Sequence, residues 1–290
     1  MAADDSTADD ASLADRARGY LEITRPINAV AAGLLTFIGA FVAGGTLTDA
    51  APAAAAIGAT VFATGAGNTI NDYFDRDIDA INQPDRPIPR GAVSPRGALV
   101  ASGVLFLAAI ALALTLPLVA IVIAVVNLVA LVSYTEVFKG LPGAGNALVA
   151  YLGGSTFLFG GAAVGDVAAA AVLFALAALA TFTREVVKDV EDVAGDEAEG
   201  LRTLPIVVGE RRALVLGTAL LLVAVAASPL PYVWGVFGIA YLALVVPADL
   251  VMLYAAYESF GDPTVGQTHI KYGMFLAAAA FVVGRLAVYA

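Results

Sequence analysis

A chain of 290 residues, 60% hydrophobic with mean hydropathy +0.86 and only 14% charged, is too apolar for a water-soluble globule. A net charge of −10 without a basic patch excludes nucleic acid as a natural partner, and the absence of cysteine excludes disulfides, thiolate nucleophiles and Cys-bound metals. Asp (17) outnumbers Glu (8) and Arg (12) outnumbers Lys (3); with abundant alanine, this balance suits a protein adapted to high salt.

Residues 1–18 carry Asp4, Asp5, Asp9, Asp10 and Asp15 and are expected to form a disordered acidic tail. The remainder, 19–290, reads as a single all-α integral membrane domain. A span needs roughly 20 apolar residues, and nine such runs follow: 27–46, 52–70, 97–115, 117–137, 145–164, 166–184, 211–228, 230–256 and 270–290. The first is too long, and too acidic on its N-terminal side, for a cleavable signal peptide. Nine transmembrane helices around a central cavity are therefore expected.

The basic residues orient them. With a cytoplasmic N-terminus, Arg16, Arg18 and Arg25 precede the first span, and Arg76, Arg86, Arg90 and Arg96 follow the second. Lys139 follows the fourth, Arg184, Lys188, Arg202, Arg211 and Arg212 surround the loop after the sixth, and Lys271 begins the ninth. The opposite connections carry only Asp49 and Asp166, as the positive-inside rule requires for a cell-membrane protein with this orientation.

Two segments interrupt this apolar pattern in the same way. The spacing D-x-x-D-x-x-x-D occurs at Asp72/Asp75/Asp79, after the second run, and again at Asp189/Asp192/Asp196, after the sixth. Steps of three and four residues keep side chains on one helical face, so each triplet is expected to line up three carboxylates. Like charges so placed repel unless cations sit between them, and oxygen donors gathered for a hard cation point to Mg²⁺. The plain alternative is a solvated acidic face; repetition of the spacing, each time at a span end on the cytoplasmic side, favours a site. Asn71 lies four residues before Asp75 and adds a neutral oxygen. The Pro-rich stretch after the first motif cannot remain helical and should bring Arg86 and Arg90 back toward the carboxylates. In the second motif Lys188 precedes Asp192 by four, and Gly195 and Gly200 permit turns close to a ligand.

Facing carboxylate sets with interspersed cations suit a diphosphate held by Mg²⁺. If the attached group is allylic, its C–O bond can ionise to a delocalised cation, which an apolar, aromatic-lined cavity shelters from water. A membrane setting suits a long greasy substrate with one charged end. On this reading Asp75, Asp79, Asp192 and Asp196 are the catalytic metal ligands, with Asn71, Asp72 and Asp189 as further metal-ligand candidates. Arg86 and Lys188 hold phosphate, and Arg90 is free to meet the acceptor.

The run Asn71 to Gly91, with N-x-x-x-D-x-x-x-D at Asn71, Asp75 and Asp79 and Arg86-Pro87 behind it, resembles the UbiA superfamily of intramembrane prenyltransferases, as does Lys188 to Asp196. The resemblance implies a UbiA-like fold, Mg²⁺ dependence, a prenyl diphosphate donor and a basic residue after the fourth span, matched by Lys139. A Tyr expected four residues before that Lys is displaced here, since Thr135 holds the position and Tyr134 lies five away. Arg25 and Asn28 resemble the family's Arg-Pro-x-Asn start and are expected at the head group. The continuation Gly200-Leu-Arg-Thr-Leu-Pro205 is similar to the branch that transfers geranylgeranyl to geranylgeranylglyceryl phosphate, a phosphorylated glycerol ether, in archaeal lipid synthesis.

Rival readings are an aromatic acceptor of quinone, haem or chlorophyll type within the same family, a CDP-alcohol phosphotransferase, and a cation-coupled transporter. The second expects a D-G-x-x-A-R start that is absent, and the third expects charges at mid-membrane rather than at span ends. Three further residues stand out. Asp249 lies inside the eighth run, Arg285 is expected to snorkel to the outer interface rather than pair with it, and His269 reads as interfacial. The pairs Gly153-Gly154 and Gly160-Gly161 fit close helix packing in lipid.

Overall fold

The computed structural model describes residues 12–134, 138, 140–198 and 200–289, and these residues contain helices and turns but no strand. The first helix, α1 (Leu13–Ile23), begins inside the stretch expected to be disordered. Ser12 caps it by accepting from the Asp15 amide at 3.2 Å, and Asp15 in the first turn complements the helix dipole. Residues 13–18 are thus helical, because a good cap outweighs acidic composition; the aspartates before Ser12 lie outside the described residues. α2 (Pro26–Val42) follows at a 41° bend. Arg25 makes that bend with φ 48°, the only non-glycine with positive φ among the described residues, and Pro26 then occupies the first helical turn.

A short 3₁₀ turn (Leu47–Asp49) leads into α3 (Ala50–Phe74), followed by α4 (Arg76–Asn82), α5 (Pro95–Ala113), α6 (Leu118–Ser133) and α7 (Ala144–Ala163). The second half comprises α8 (Val167–Glu191), α9 (Val193–Ala198), α10 (Leu204–Val208), α11 (Glu210–Ala227), α12 (Leu230–Val233), α13 (Ile239–Glu258) and α14 (Pro263–Tyr289). Each of the nine apolar runs carries a helix. By length and apolarity, however, six helical segments qualify as spans, or seven with α1 and α2 taken as one bent span. Two of the nine expected spans fall short of this length-and-apolarity criterion, because α6 has only 16 residues and Asn146, Ser155, Thr156 and the glycines dilute α7. The molecule is a multi-pass membrane protein.

α7 packs against α2, α3, α6 and α8. A Cβ on Gly160 would run into the Thr36 carbonyl of α2, and one on Gly39 into the Phe157 backbone of α7, so these helices meet backbone to backbone. Gly161 and Gly154 meet α8 at Ala170 and Phe174, whereas Gly153 has room for a side chain. Beside this contact Phe157, Leu173, Phe237, Tyr241 and Phe281 form the main core, with the Tyr241 and Phe281 rings edge to face at 5.1 Å. Between α3, α5 and α7 the buried side chains are mostly alanines (Ala56, Ala59, Ala113, Ala162), and the space they leave continues into a cavity.

The isolated polar residues find local partners. Asp249, buried at 7% exposure, accepts from Ser228 Oγ at 2.5 Å, and the Tyr241 hydroxyl donates to the Ser228 carbonyl at 2.6 Å. That set fastens the end of α11 to α13. Arg285 donates to the Tyr289 hydroxyl at 2.9 Å and sits over its ring, and His269 Nδ1 lies 2.6 Å from Glu258.

Candidate active site

Both aspartate motifs lie at a break between a long helix and a short one. α3 ends at Phe74 and α4 starts at Arg76, with Asp75 between them at φ −84°, ψ 1°. α8 ends at Glu191 and α9 starts at Val193, with Asp192 between them at φ −95°, ψ 2°. This bridge region is sparsely populated and recurs at functional residues. The shared geometry aligns Asp75 with Asp192, Asp79 with Asp196 and Asn71 with Lys188, although the surrounding sequences differ.

The break divides the carboxylates, and neighbouring side chains claim them one by one. Asn71 Nδ2 donates to Asp75 at 2.7 Å. Asp72, buried at 4%, accepts from Arg25 at 2.6 Å and from Arg86 at 3.3 Å. The same Arg86 nitrogen reaches Asp79, itself 5% exposed, at 2.5 Å. Arg86 therefore spans two carboxylates one turn and more apart. In the second motif Asn146 of α7 donates to Asp189 at 2.7 Å, and Lys188 lies 3.7 Å from Asp192. Among the described residues no three carboxylates gather as a ready metal cage, contrary to the expectation from spacing. Arg25 and Arg86 balance charge at Asp72 and Asp79, while the neutral amides of Asn71 and Asn146 hydrogen-bond Asp75 and Asp189.

The Arg86 loop is held from beneath by Ile88 and Val93, buried with Ile23, Ala98 and Tyr73, and turns at Gly91 with φ 80°. Arg90 is not free for an acceptor. It donates to Glu22 of α1 at 2.6 Å and to the Asp85 carbonyl at 2.9 Å, so it straps α1 to the loop. Shared with Arg18, Glu22 loses its proton more readily than an ordinary glutamate, first through the hydrogen bond from Arg90. Asn28 is exposed and does not line the cavity, unlike its neighbour Arg25. Lys139 lies outside the described residues.

A cavity of about 580 Å³ opens beside the first motif. Arg25, Asn71, Phe74 and Tyr134 sit at its polar end, and Ala59, Ala113, Ala124 and Phe159 line its apolar depth. Tyr134 also borders a small polar pocket of about 30 Å³ with Asn146, Glu185, Asp189 and Thr203. Tyr134 therefore borders both the cavity beside the first motif and the pocket beside the second. Four further residues went unnoticed in the sequence: Thr60, Thr64 and Asn68 on α3, and Asn127 on α6, all lining the large cavity. Their signal was present, since Thr60, Thr64 and Asn68 recur every four residues inside an apolar run and lead to Asn71 and Asp72.

Charged groups at one end and a long apolar hollow behind them can receive an amphiphile with an anionic head. The sequence model of the UbiA prenyltransferase family matches residues 32–279. The digeranylgeranylglyceryl phosphate synthase of Natronomonas pharaonis is 68% identical over 277 residues, covering 95% of this chain and 100% of that protein. The enzyme of the same name from Halobacterium salinarum is 63% identical, covering 93% and 98%. A solved structure of a digeranylgeranylglyceryl phosphate synthase in membranes superposes with a TM-score of 0.84 at 34% identity, covering 94% of this chain and 99% of that one. A UbiA homolog from Archaeoglobus fulgidus bound to GPP and Mg²⁺ shares the fold, with a TM-score of 0.65 at 20% identity, covering 89% and 99%. Matched along most of its length by the family's sequence and by its solved fold, this chain belongs to the UbiA prenyltransferase family.

Proposed function

We propose that this chain transfers a geranylgeranyl group from geranylgeranyl diphosphate to the free hydroxyl of geranylgeranylglyceryl phosphate, forming the second ether bond of an archaeal membrane lipid. The observation that carries this reading is the cavity, apolar in its depth, with Arg25 and Asn71 beside the first motif at its polar end and Tyr134 shared with the polar pocket at Asp189 of the second. The names of relatives at 63% and 68% identity support the acceptor, and the Natronomonas and Halobacterium sources agree with the salt-adapted composition.

The donor set fits a hard divalent cation in type, since every candidate supplies oxygen. Asn71, Asp75, Asp79, Asp192 and Asp196 would hold Mg²⁺, which neutralises charge on the leaving diphosphate when bound. Asp72, which accepts from two arginines, and Asp189, tied by Asn146 to α7, serve the scaffold, whereas Asp79 shares Arg86 and Asp75 accepts from Asn71 of its own helix. Arg86 and Lys188, with Lys139 on the strength of the family resemblance, hold phosphate oxygens; Arg25 fixes Asp72 at the cavity mouth. Tyr134 walls the head-group region, and the alanine-lined depth takes the isoprenoid and excludes water from the reacting carbon. In the reaction the prenyl C–O bond breaks with its electron pair on diphosphate, and the acceptor oxygen forms the new C–O bond. Its proton passes to a motif carboxylate or to the released diphosphate.

The chain is read as nine spans with the N-terminus and both motifs on the cytoplasmic side, supported by the distribution of Arg and Lys. The test of function is product mass after purified protein receives labelled geranylgeranyl diphosphate with geranylgeranylglyceryl phosphate or with an aromatic acceptor. A doubly alkylated glycerol phosphate is expected. Prenylation of the aromatic compound alone would overturn the reading.

A further inference from the structure

We infer that the alanine floor of the cavity, formed by Ala59, Ala113 and Ala124, is the specificity determinant for the length of the prenyl donor and selects a chain of four isoprene units. The inference rests on the reaction proposed above and adds to it a limit set outside both aspartate motifs.

The cavity follows one face of α3. Ala59, Ala63, Gly67 and Asn71 recur along its wall every four residues, so small side chains leave a groove that runs down from the polar end. α6 stands across this groove in a definite register, since a Cβ on Gly67 would lie 3.4 Å from Leu131 Cδ2. Ala59 lies eight residues before Gly67 and Ala124 seven before Leu131, so at ~1.5 Å per residue both sit about 10–12 Å below that contact. α5 ends at the same level. A Cβ on Gly58 would meet Leu112, and the next residue, Ala113, is the last of that helix. Ala56, Leu116 and Ala120 pack with Ala59 and Ala113 into one buried cluster, and the cavity stops there.

The depth of the groove corresponds to a definite chain. From Asn71 to Ala59 the helix rises about 18 Å. Carbon–carbon bonds of about 1.5 Å make an extended isoprene unit about 5 Å long, so three units reach roughly 15 Å and four roughly 20 Å. A donor whose diphosphate is held at the first motif therefore brings its fourth unit against the floor with a slight kink. Three units leave unfilled space above the alanines, and five must buckle. Prenyl donors share one head and differ only in length, so the floor is where they can be told apart. Alanine matters there because any larger side chain would take the place of the final unit.

The test measures kcat/KM for donors of three, four and five units (farnesyl, geranylgeranyl and geranylfarnesyl diphosphate) with the acceptor held constant. One methylene in an apolar pocket is worth roughly tenfold or more in kcat/KM, so wild type should favour the four-unit donor over either neighbour by at least about tenfold. Ala124→Phe raises the floor and should shift the ratio toward the three-unit donor by at least about tenfold; retained alkylation with that donor reports an intact fold. Ala59→Leu provides the same comparison if the phenylalanine variant does not accumulate. Leu116→Ala lowers the floor and should admit the five-unit donor. An unchanged donor preference in the raised-floor variants would overturn the inference. So would a rise in the acceptor KM alone, which would assign the hollow to the acceptor's tail. A wild type that uses all three donors equally would refute the length limit and leave the proposed function standing. Alkylation of an aromatic acceptor alone would refute that function, and the donor series would still decide the length limit.

Discussion

Replacing Asp72 with Asn separates a scaffold carboxylate from a metal-binding one. The Asp72 side chain is 5% exposed and holds Arg25 at 2.6 Å and Arg86 at 3.3 Å. Removing one partner of a fully buried pair costs about 3–5 kcal/mol. Here the arginines are 36% and 22% exposed, so each freed guanidinium reaches water. Arg86 also keeps Asp79, and the new amide still accepts one hydrogen bond. Screening and these residual contacts reduce the loss to about 1–2 kcal/mol. At about 2–4 °C per kcal/mol for a chain of comparable size, the detergent-solubilised variant should melt a few degrees below wild type. The Mg²⁺ concentration for half-maximal activity should not move. An unchanged melting temperature together with a raised Mg²⁺ requirement would refute the scaffold role and return Asp72 to the metal.

Asp75→Asn and Asp192→Asn, at the two helix breaks, should each lower turnover at least ~10²-fold at saturating Mg²⁺, with melting near wild type; near-normal rates in both would remove them from the site. Arg90→Ala should loosen α1, seen as faster proteolysis around residues 13–23, without raising the KM for the acceptor, because Arg90 is already committed to Glu22. Gly160→Leu should prevent α2 and α7 from closing and sharply reduce folded protein recovered from membranes, whereas Gly153→Ala should be tolerated because its Cβ has space. Single cysteines at Asp49 and Asp166 should react with an impermeant thiol reagent outside intact cells, and those at Gln83 and Glu197 should not; the reverse pattern would invert the topology.

Sequence alone determined the class of protein, the positions of the helices and the location of the charged motifs. These features are local: apolar length sets a membrane helix, aspartates and prolines end it, and each can be read within about 20 residues. The repeated aspartate spacing likewise marked both helix breaks. What each carboxylate does was decided by tertiary contacts. Arg25 meets Asp72 across 47 positions and Asn146 meets Asp189 across 43, and no spacing rule announces either pair. Arg90 looked available until the fold brought Glu22 to it from 68 positions away. The cavity too is tertiary, since it exists only where small residues of α3, α5 and α7 fail to fill the space between helices that glycines elsewhere draw into contact. Asn127 shows both levels: its presence in an apolar helix was visible in the sequence, but only packing places the residue in the wall of the cavity.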